Sequence, residues 1–130
     1  MLKKILIIDD DADFTEAVSR VLQAKKYKTI SASGGRQGFI KAQEEGVSLI
    51  LLDVMMTYKT EGFNIARQLK QSSVTKDIPI VLVTGIRKEL NLPFGFEEDD
   101  EFLPVETILE KPLKPGSLLQ IVEKLFKKTE

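Results

Sequence analysis

The 130-residue sequence contains no cysteine, no histidine and no tryptophan. Without cysteine the chain can form neither disulfides nor thiolate metal sites, and it has no thiol nucleophile. Without histidine it lacks the commonest general base, the usual transition-metal ligand and any phosphohistidine. Any chemistry therefore falls to carboxylates, amines, hydroxyls and a hard cation bound by oxygen ligands.

Long apolar runs and a large excess of charge of one sign are also missing. No run approaches the length that crosses a bilayer, and the apolar stretch near the N-terminus leads directly into three aspartates, unlike a signal peptide. The net charge is -1 and the basic residues are spread along the chain, so no nucleic-acid surface is predicted. We expect a cytoplasmic protein that neither inserts into a membrane nor binds nucleic acid directly.

What remains is the composition of an ordinary globular domain. Apolar residues make up 42% of the chain and charged residues 30%, which is too apolar for a disordered protein. A chain of this length fits one compact core and leaves little room for a second. We therefore expect a single domain spanning residues 1–130.

Short, almost continuous apolar runs alternate with segments of helical period. Runs this apolar are typical of strands buried on both faces of a parallel sheet. The helical segments carry apolar residues three and four apart, which gives each one an apolar stripe. Strands are predicted at Lys4–Ile8, Lys28–Ala32, 48–52, 78–83 and Thr107–Glu110. Helices are predicted over 14–22, 65–69, 118–126 and about 36–45, the last with Gly46 as its C-terminal stop.

The order of these elements, strand then helix repeated five times, predicts an α/β fold. Its expected form is flavodoxin-like, a doubly wound sheet of five parallel strands with helices on both faces. In such sheets the functional site lies at the carboxyl ends of the central strands. Residues 91–105 interrupt the pattern with two prolines, a glycine and an acidic run, so the helix expected there is predicted to be irregular.

Polar side chains follow four of the predicted strands at the point where each strand ends. Asp9 and Asp10 follow the first strand, Asp53 the third, Thr84 the fourth and Lys111 the fifth. Three carboxylates at one place repel one another unless a cation lies among them. Oxygen ligands without histidine or cysteine favour Mg²⁺ or a similar hard ion. We therefore expect a magnesium site at this edge of the sheet.

A hard cation beside a carboxylate, an ammonium and a hydroxyl is typical of phosphoryl transfer. The carboxylate oxygen attacks phosphorus, while the cation and Lys111 neutralise charge on the phosphoryl oxygens. The Thr84 hydroxyl can donate to another phosphoryl oxygen, and Gly85 leaves space for the group to enter. Asp11 is predicted to cap the first helix, a role that aspartates in this position often have.

The motifs ILIIDDD, LILLDVMM, IVLVTG and ILEKPLKP resemble those of the receiver domains of bacterial response regulators, in order and over nearly the whole chain. This resemblance implies that Asp53 accepts a phosphoryl group from a sensor histidine kinase or a phosphotransfer protein. It implies that Thr84 is the switch hydroxyl and that Lys111 binds the phosphoryl group. It also implies a Mg²⁺ site and a cis peptide before Pro112. The implied metal ligands are Asp9, Asp10, Asp53 and the backbone carbonyl of Met55.

A receiver of this kind is not a turnover enzyme, since it catalyses only its own phosphorylation and slow dephosphorylation. We expect it to signal to an unknown downstream protein, as a monomer or a weak phosphorylation-dependent dimer. Three features depart from the family pattern. Thr57 replaces a usual proline in a loop that is one residue longer before Gly62, and Ile108 replaces a common aromatic. The stretch from Thr84 to Lys111 is also longer than usual, and proline and glycine interrupt its helix. We therefore expect residues 91–105 to be the most mobile segment and to carry the response to phosphorylation.

Two other functions remain open at this stage. The first is a phosphorylation-independent pseudo-receiver that acts as a protein-interaction scaffold. The second is a small phosphohydrolase that uses the same carboxylate, although no second acid or base is evident near Asp53. The acidic run over 97–101 is interpreted as a solvated segment, because contiguous acids seldom converge on one cation.

Overall fold

The computed structural model describes residues 3–44, 46–54, 61–85 and 107–129. Five strands and four helices lie within these ranges, which confirms the α/β class. The strands are β1 Lys4–Ile8, β2 Lys28–Ala32, β3 Val47–Asp53, β4 Ile80–Thr84 and β5 Thr107–Glu110. The helices are α1 Ala12–Ala24, α2 Gly35–Ala42, α3 Glu61–Gln71 and α4 Pro115–Thr129.

All five strands belong to one parallel sheet with the order β2-β1-β3-β4-β5. The chain first runs outward from β1 to β2, then returns across β1 to β3 and continues to β5 at the other edge. The order therefore reverses between β1 and β3, and the predicted doubly wound, flavodoxin-like arrangement is confirmed. A crevice for chemistry is expected at the carboxyl ends of these two strands.

Side chains of the central strands alternate between two apolar clusters, one on each face of the sheet. One cluster contacts α2 and α3 through Leu6, Ile8, Ile50, Leu52, Ile80 and Leu82. The other contacts α1 and α4 through Ile5, Ile7, Leu49, Leu51 and Val81. Because both faces are covered, β1, β3 and β4 are apolar at nearly every position.

The ends of several elements differ from the prediction for local reasons. β4 begins at Ile80 because Pro79 has no N–H to donate and the Ile78 N–H is used in a turn, donating to the Thr75 carbonyl at 3.0 Å. α2 ends at Ala42, where Glu44 N–H bonds the Lys41 carbonyl at 3.0 Å in a tightened last turn.

Gly46 is not the C-terminal stop of α2, and that prediction is wrong. The residue lies beyond the last turn of α2 and directly before β3, with φ of 93°. A positive φ of this size favours glycine because a Cβ atom would clash with the backbone. Gly46 therefore shapes the entry into β3.

Asp11 caps α1 as predicted. Its Oδ1 accepts a hydrogen bond from the Phe14 N–H at 3.1 Å, which satisfies one of the otherwise unpaired donors of the first turn. None of the helices in the described ranges is both long and apolar enough to cross a bilayer. The predictions for residues 91–105, for the loop around Thr57 and for the Met55 carbonyl fall outside the described residues.

Gly38 lets α2 lie directly against the end of β1. A Cβ atom at this position would lie 2.5 Å from Ile8 Cδ1 and 2.8 Å from Ile8 Cγ1. Ile8 is fully buried and immediately precedes Asp9, so its side chain has little freedom to give way. The absence of a side chain at Gly38 therefore helps to set the position of the strand end that carries Asp9.

We predict that Gly38→Ala destabilises the fold by about 1–3 kcal/mol through overpacking against Ile8, even though alanine favours helix. The matched control is Gly116→Ala in α4, where no atom from elsewhere in the described chain lies within 4 Å of the new Cβ. That control should be neutral or stabilising by up to about 1 kcal/mol. Urea unfolding of both variants measures the difference, and equal stability would contradict the close contact.

Candidate functional site

The carboxyl ends of β1 and β3 bring three carboxylates together. Ile8 pairs with Leu52 in the sheet, so the residues that follow, Asp9 and Asp53, are lateral neighbours. One oxygen each from Asp9, Asp10 and Asp53 lie within 4.8 Å of one another. Asp9 and Asp53 are 3% and 5% exposed, whereas Asp10 is open to solvent. The structure thus gathers the three acids that the sequence singled out.

The alternation of side chains along a strand explains which face the buried acids occupy. Asp53 is the last residue of β3 and has the same parity as Leu49 and Leu51, which contact α1 and α4. Asp9 continues the series of Ile5 and Ile7 on the same face. Both carboxylates therefore lie on the α1 side of the sheet, near the first turn of that helix.

Lys111 brings a positive charge to these acids. Its Nζ lies 3.0 Å from Asp9 Oδ2 and 3.9 Å from Asp53 Oδ2. The contact with Asp9 is an ion pair with angles outside hydrogen-bond geometry. The Lys111 side chain is 23% exposed and that of Asp9 only 1%, so water screens the pair less than a surface salt bridge. Lys111 therefore offsets part of the repulsion among the carboxylates.

Backbone hydrogen bonds connect the strand ends that carry the predicted site residues. The Lys111 N–H donates to the Thr84 carbonyl at 2.8 Å, and the Val54 N–H donates to the Val83 carbonyl at 3.0 Å. Val83 is also the sheet partner of Asp53. Thr84 is buried at the end of β4, next in sequence to that partner. These bonds hold the ends of β3, β4 and β5 in a fixed relation.

The chain around Lys111 has two further features. The peptide bond between Lys111 and Pro112 is cis, as the resemblance implied. A Cβ atom at Gly85 would lie 3.8 Å from Lys111 Cβ and 3.9 Å from Lys111 Cδ, which is ordinary van der Waals contact. The stem of Lys111 therefore passes close to Gly85 before its ammonium reaches the acids.

Asp9 has a different partner for each of its two carboxylate oxygens. Oδ1 accepts a hydrogen bond from the Asp11 N–H at 2.9 Å, while Oδ2 faces Lys111. The first contact fixes the short connection between β1 and α1, and the second contributes to the charge balance of the site. Replacing Asp9 would therefore disturb both the geometry and the electrostatics.

Gly62 is a residue whose role the sequence did not reveal. Its N–H donates to the Val54 carbonyl at 2.9 Å, so the start of α3 lies on the end of β3. A Cβ at this position would collide with the Asp53 carbonyl oxygen and would lie 2.5 Å from Val54 Cα. Those atoms belong to the backbone that carries the acceptor candidate and cannot rotate away. The clue available in the sequence is a glycine near a helix start that closely follows a strand.

Ile108, at the position where the family often has an aromatic residue, lies in the core. It is 9% exposed and belongs to the apolar cluster on the α2 and α3 face. Its partner in the sheet is Leu82. The side chain is therefore a packing residue of β5 in this structure.

The donor set of the site fits a hard divalent cation. All three side chains offer carboxylate oxygen, and their ligand atoms lie close enough to share one ion. The exposure of Asp10 leaves a side open to water, and Mg²⁺ usually retains several water ligands. Asp9, Asp10 and Asp53 are therefore the described residues that would hold such an ion.

Comparison with known proteins identifies the class to which this fold and site belong. The family model described as response regulator receiver domain matches residues 5–123. The chain therefore belongs to the response regulator receiver domain family. It is a receiver domain of the two-component response regulator type.

Relatives and solved structures agree with this assignment. The chain is 30% identical over its full length to the alkaline phosphatase synthesis transcriptional regulatory protein PhoP of Bacillus subtilis, covering 51% of that protein. It is 31% identical over 98% of its length to the phosphate regulon transcriptional regulatory protein PhoB of Pseudomonas aeruginosa, covering 53% of that protein. The chain thus spans about half the length of these curated relatives.

Among solved structures, the chemotaxis response regulator CheY4 of Vibrio cholerae matches with a TM-score of 0.80 and 27% identity, covering 95% of this chain and 98% of that one. A CheY-like receiver domain protein from Methanospirillum hungatei matches with a TM-score of 0.84 and 23% identity, over 98% and 96% of the two chains. The second likeness supports the fold alone.

We predict that Lys111→Met destabilises the metal-free protein by about 1–3 kcal/mol, because it removes the cation facing two buried carboxylates. The control is Lys114→Met, at an exposed position on the same segment, which should change stability by less than about 0.5 kcal/mol. Urea unfolding in EDTA measures both changes.

A second substitution tests whether the lost stability comes from charge. In a Lys111→Met background, Asp9→Asn should recover part of the loss, because it also removes the negative charge left without its ion pair. If Asp9→Asn destabilised the Lys111→Met variant as much as it destabilises the wild type, loss of the ion pair would not explain the effect of Lys111→Met.

Proposed function

We propose that this receiver accepts a phosphoryl group on the Asp53 carboxylate in a reaction that requires Mg²⁺. The observation that supports this most directly is the arrangement around Asp53. A buried carboxylate lies beside two further acids, with ligand atoms within 4.8 Å, and has an ammonium 3.9 Å away. Such a site combines a nucleophile, a place for a hard cation and a nearby positive charge.

Each residue has a defined task in this reaction. An Asp53 oxygen bonds to phosphorus while the bond from phosphorus to the donor's nitrogen or oxygen breaks, and the leaving group retains the electron pair. Lys111 neutralises negative charge on the phosphoryl oxygens, and the Thr84 hydroxyl donates a hydrogen bond to one of them. Mg²⁺, when bound by Asp9, Asp10 and Asp53, supplies further charge neutralisation.

Lys111 needs only a short movement to take up this task. Its ammonium is already within 3.9 Å of Asp53 but is paired more closely with Asp9, at 3.0 Å. A cation held by Asp9 would share the charge of that carboxylate and would so weaken its attraction for Lys111. The ammonium would then be available to a phosphoryl group on Asp53.

The donor in this proposal is a sensor histidine kinase or a phosphotransfer protein, and the output is a shift between two conformations that a downstream protein distinguishes. The chain is not proposed to be a turnover enzyme, since the phosphoryl group stays on the protein until it is hydrolysed. The curated relatives are transcriptional regulators, but the chain covers only half of each one. We propose that its own contribution is protein contact.

We predict that acetyl phosphate and Mg²⁺ add one phosphoryl group to the protein, and that Asp53→Asn abolishes this gain because an amide lacks the nucleophilic oxygen. The control Asp77→Asn, at an exposed position in the connection before β4, should be labelled like the wild type. Intact-mass measurement reads out all three proteins. Labelling of Asp53→Asn would refute the acceptor assignment, and no labelling of the wild type would favour the scaffold alternative.

We predict that Mg²⁺ raises the melting temperature, because a ligand that binds only the folded state stabilises it by about 2.7 kcal/mol at one hundred times its Kd. Replacing both Asp9 and Asp10 by Ala should abolish the rise. Asp10→Asn alone is the milder variant, since Asp10 is exposed and its loss leaves the core intact. The idea fails if Mg²⁺ stabilises the double variant as much as the wild type.

A further inference from the structure

An aromatic ring lies beneath the ammonium of Lys111. The Nζ atom is 4.2 Å from the centroid of the Phe14 ring, well inside the distance at which a cation is attracted to a π-system. Phe14 is in the first turn of α1 and is partly buried against the cluster on the α1 and α4 face. From its helical periodicity alone, Phe14 counts as one more residue of an apolar stripe.

Phe14 is connected on the helix side to Asp9, one of the acids of the site, through two hydrogen bonds that run by way of Asp11. The Asp9 Oδ1 atom accepts from the Asp11 N–H at 2.9 Å, and the Asp11 Oδ1 atom accepts from the Phe14 N–H at 3.1 Å. The Phe14 ring contacts Lys111 Nζ, which returns to Asp9 Oδ2 at 3.0 Å. These four residues form a closed ring of contacts between β1, the start of α1 and the end of β5.

A phenyl ring is well suited to hold the ammonium of a lysine that must also bind an incoming anion. A carboxylate in the place of Phe14 would hold the ammonium but would also neutralise its charge and occupy its N–H donors. The ring face attracts the ammonium through its quadrupole and accepts no strong hydrogen bond. The charge and the donors of Lys111 therefore remain available to phosphoryl oxygens.

The face of a ring also allows lateral movement. Cation–π attraction is broad, so an ammonium can move between Asp9 and Asp53 while it stays above the same ring. The two carboxylate contacts, at 3.0 and 3.9 Å, show that the required displacement is small. The stem of Lys111 passes close to Gly85, where even an added Cβ atom would make only ordinary van der Waals contact with it.

We propose that Phe14 is a positioning residue for Lys111, holding its ammonium beside Asp53 through a cation–π contact without consuming its charge. This inference rests on the proposed phosphoryl transfer to Asp53 for its functional consequence, but not for the contact itself. Phe14 touches no reacting atom and acts through Lys111.

The first arm of the test examines the contact and needs no phosphorylation. Protons above a ring face are shifted upfield, so the ε-methylene protons of Lys111 should resonate upfield of those of the exposed lysines. Lys111→Met assigns the signal in a lysine-labelled NMR spectrum. Phe14→Leu should abolish the shift and Phe14→Tyr, which keeps the ring, should retain it. Lys3, whose Nζ lies 5.4 Å from the Phe126 centroid, is an internal reference that should not change.

The second arm measures the rate constant of phosphorylation by acetyl phosphate with saturating Mg²⁺. Phe14→Leu keeps an apolar side chain but removes the ring, and the rate constant should fall about fivefold, equivalent to about 1 kcal/mol. Phe14→Tyr should remain within about twofold of the wild type. The matched control is Phe126→Leu, which removes the ring beneath Lys3 and should leave the rate constant unchanged.

A double-variant comparison decides whether Phe14 acts through Lys111. In a Lys111→Met background, Phe14→Leu should cause no further loss of rate, because the ammonium that the ring positions is already gone. An equal fivefold loss in both backgrounds, or an upfield shift that persists in Phe14→Leu, would overturn the proposal. If the wild type is not phosphorylated, the proposed function fails, and the NMR arm still decides whether the contact exists.

Discussion

The charge balance among three carboxylates is the constraint on which the rest of this site depends. Parallel β1 and β3 end side by side, so the topology forces Asp9 and Asp53 to be neighbours, and Asp10 follows directly. Such a cluster is costly unless positive charge lies close to it. Lys111 provides that charge from the end of β5, on the far side of β4. Residues from both halves of the sheet therefore contribute to the charge balance that stabilises the site.

The carboxylates are neutralised by a single lysine, whose long side chain allows the ammonium to leave Asp9 for another anion. Asp9 is held at Oδ1 by the backbone and at Oδ2 by Lys111, so the acid stays in place if the ammonium moves. Gly62 packs closely against the end of β3, and Gly38 packs closely against the end of β1. These contacts help to fix the backbone of both strand ends. The site thus combines an Asp9 carboxylate held by the backbone with an ammonium at the end of a flexible side chain.

Much of this architecture is encoded locally and could be predicted. The bounds of β1, β2 and β5 match the prediction. Each of these strands appears in the sequence either as a short apolar run or as an alternation of apolar and polar residues. The three acids and Lys111 could be placed at one edge because they directly follow strands. The early end of α2 and the late start of β4 were missed, since they depend on hydrogen bonds in individual turns.

The contacts that link distant parts of the chain could not be predicted from the same patterns. Phe14 has the periodicity of any core residue, and only the three-dimensional position of the first turn of α1 relative to Lys111 shows that its ring lies under the ammonium. Gly62 is typical of a turn, whereas its real constraint is the backbone of Asp53 and Val54. Periodicity reports which face a residue occupies. It does not report which residue lies across from it.

The position of β5 at the edge of the sheet makes one contact of the site depend on an edge strand. Lys111 reaches Asp9 only when this four-residue strand is paired with β4, whereas the acids come together as soon as β1 and β3 pair. Edge elements open more readily than central ones, without global unfolding. A molecule with β5 detached would retain its central strands but leave its acids without their ammonium. The ion pair between Lys111 and Asp9 therefore depends on the pairing of an edge strand, whereas the cluster of acids depends only on the central strands.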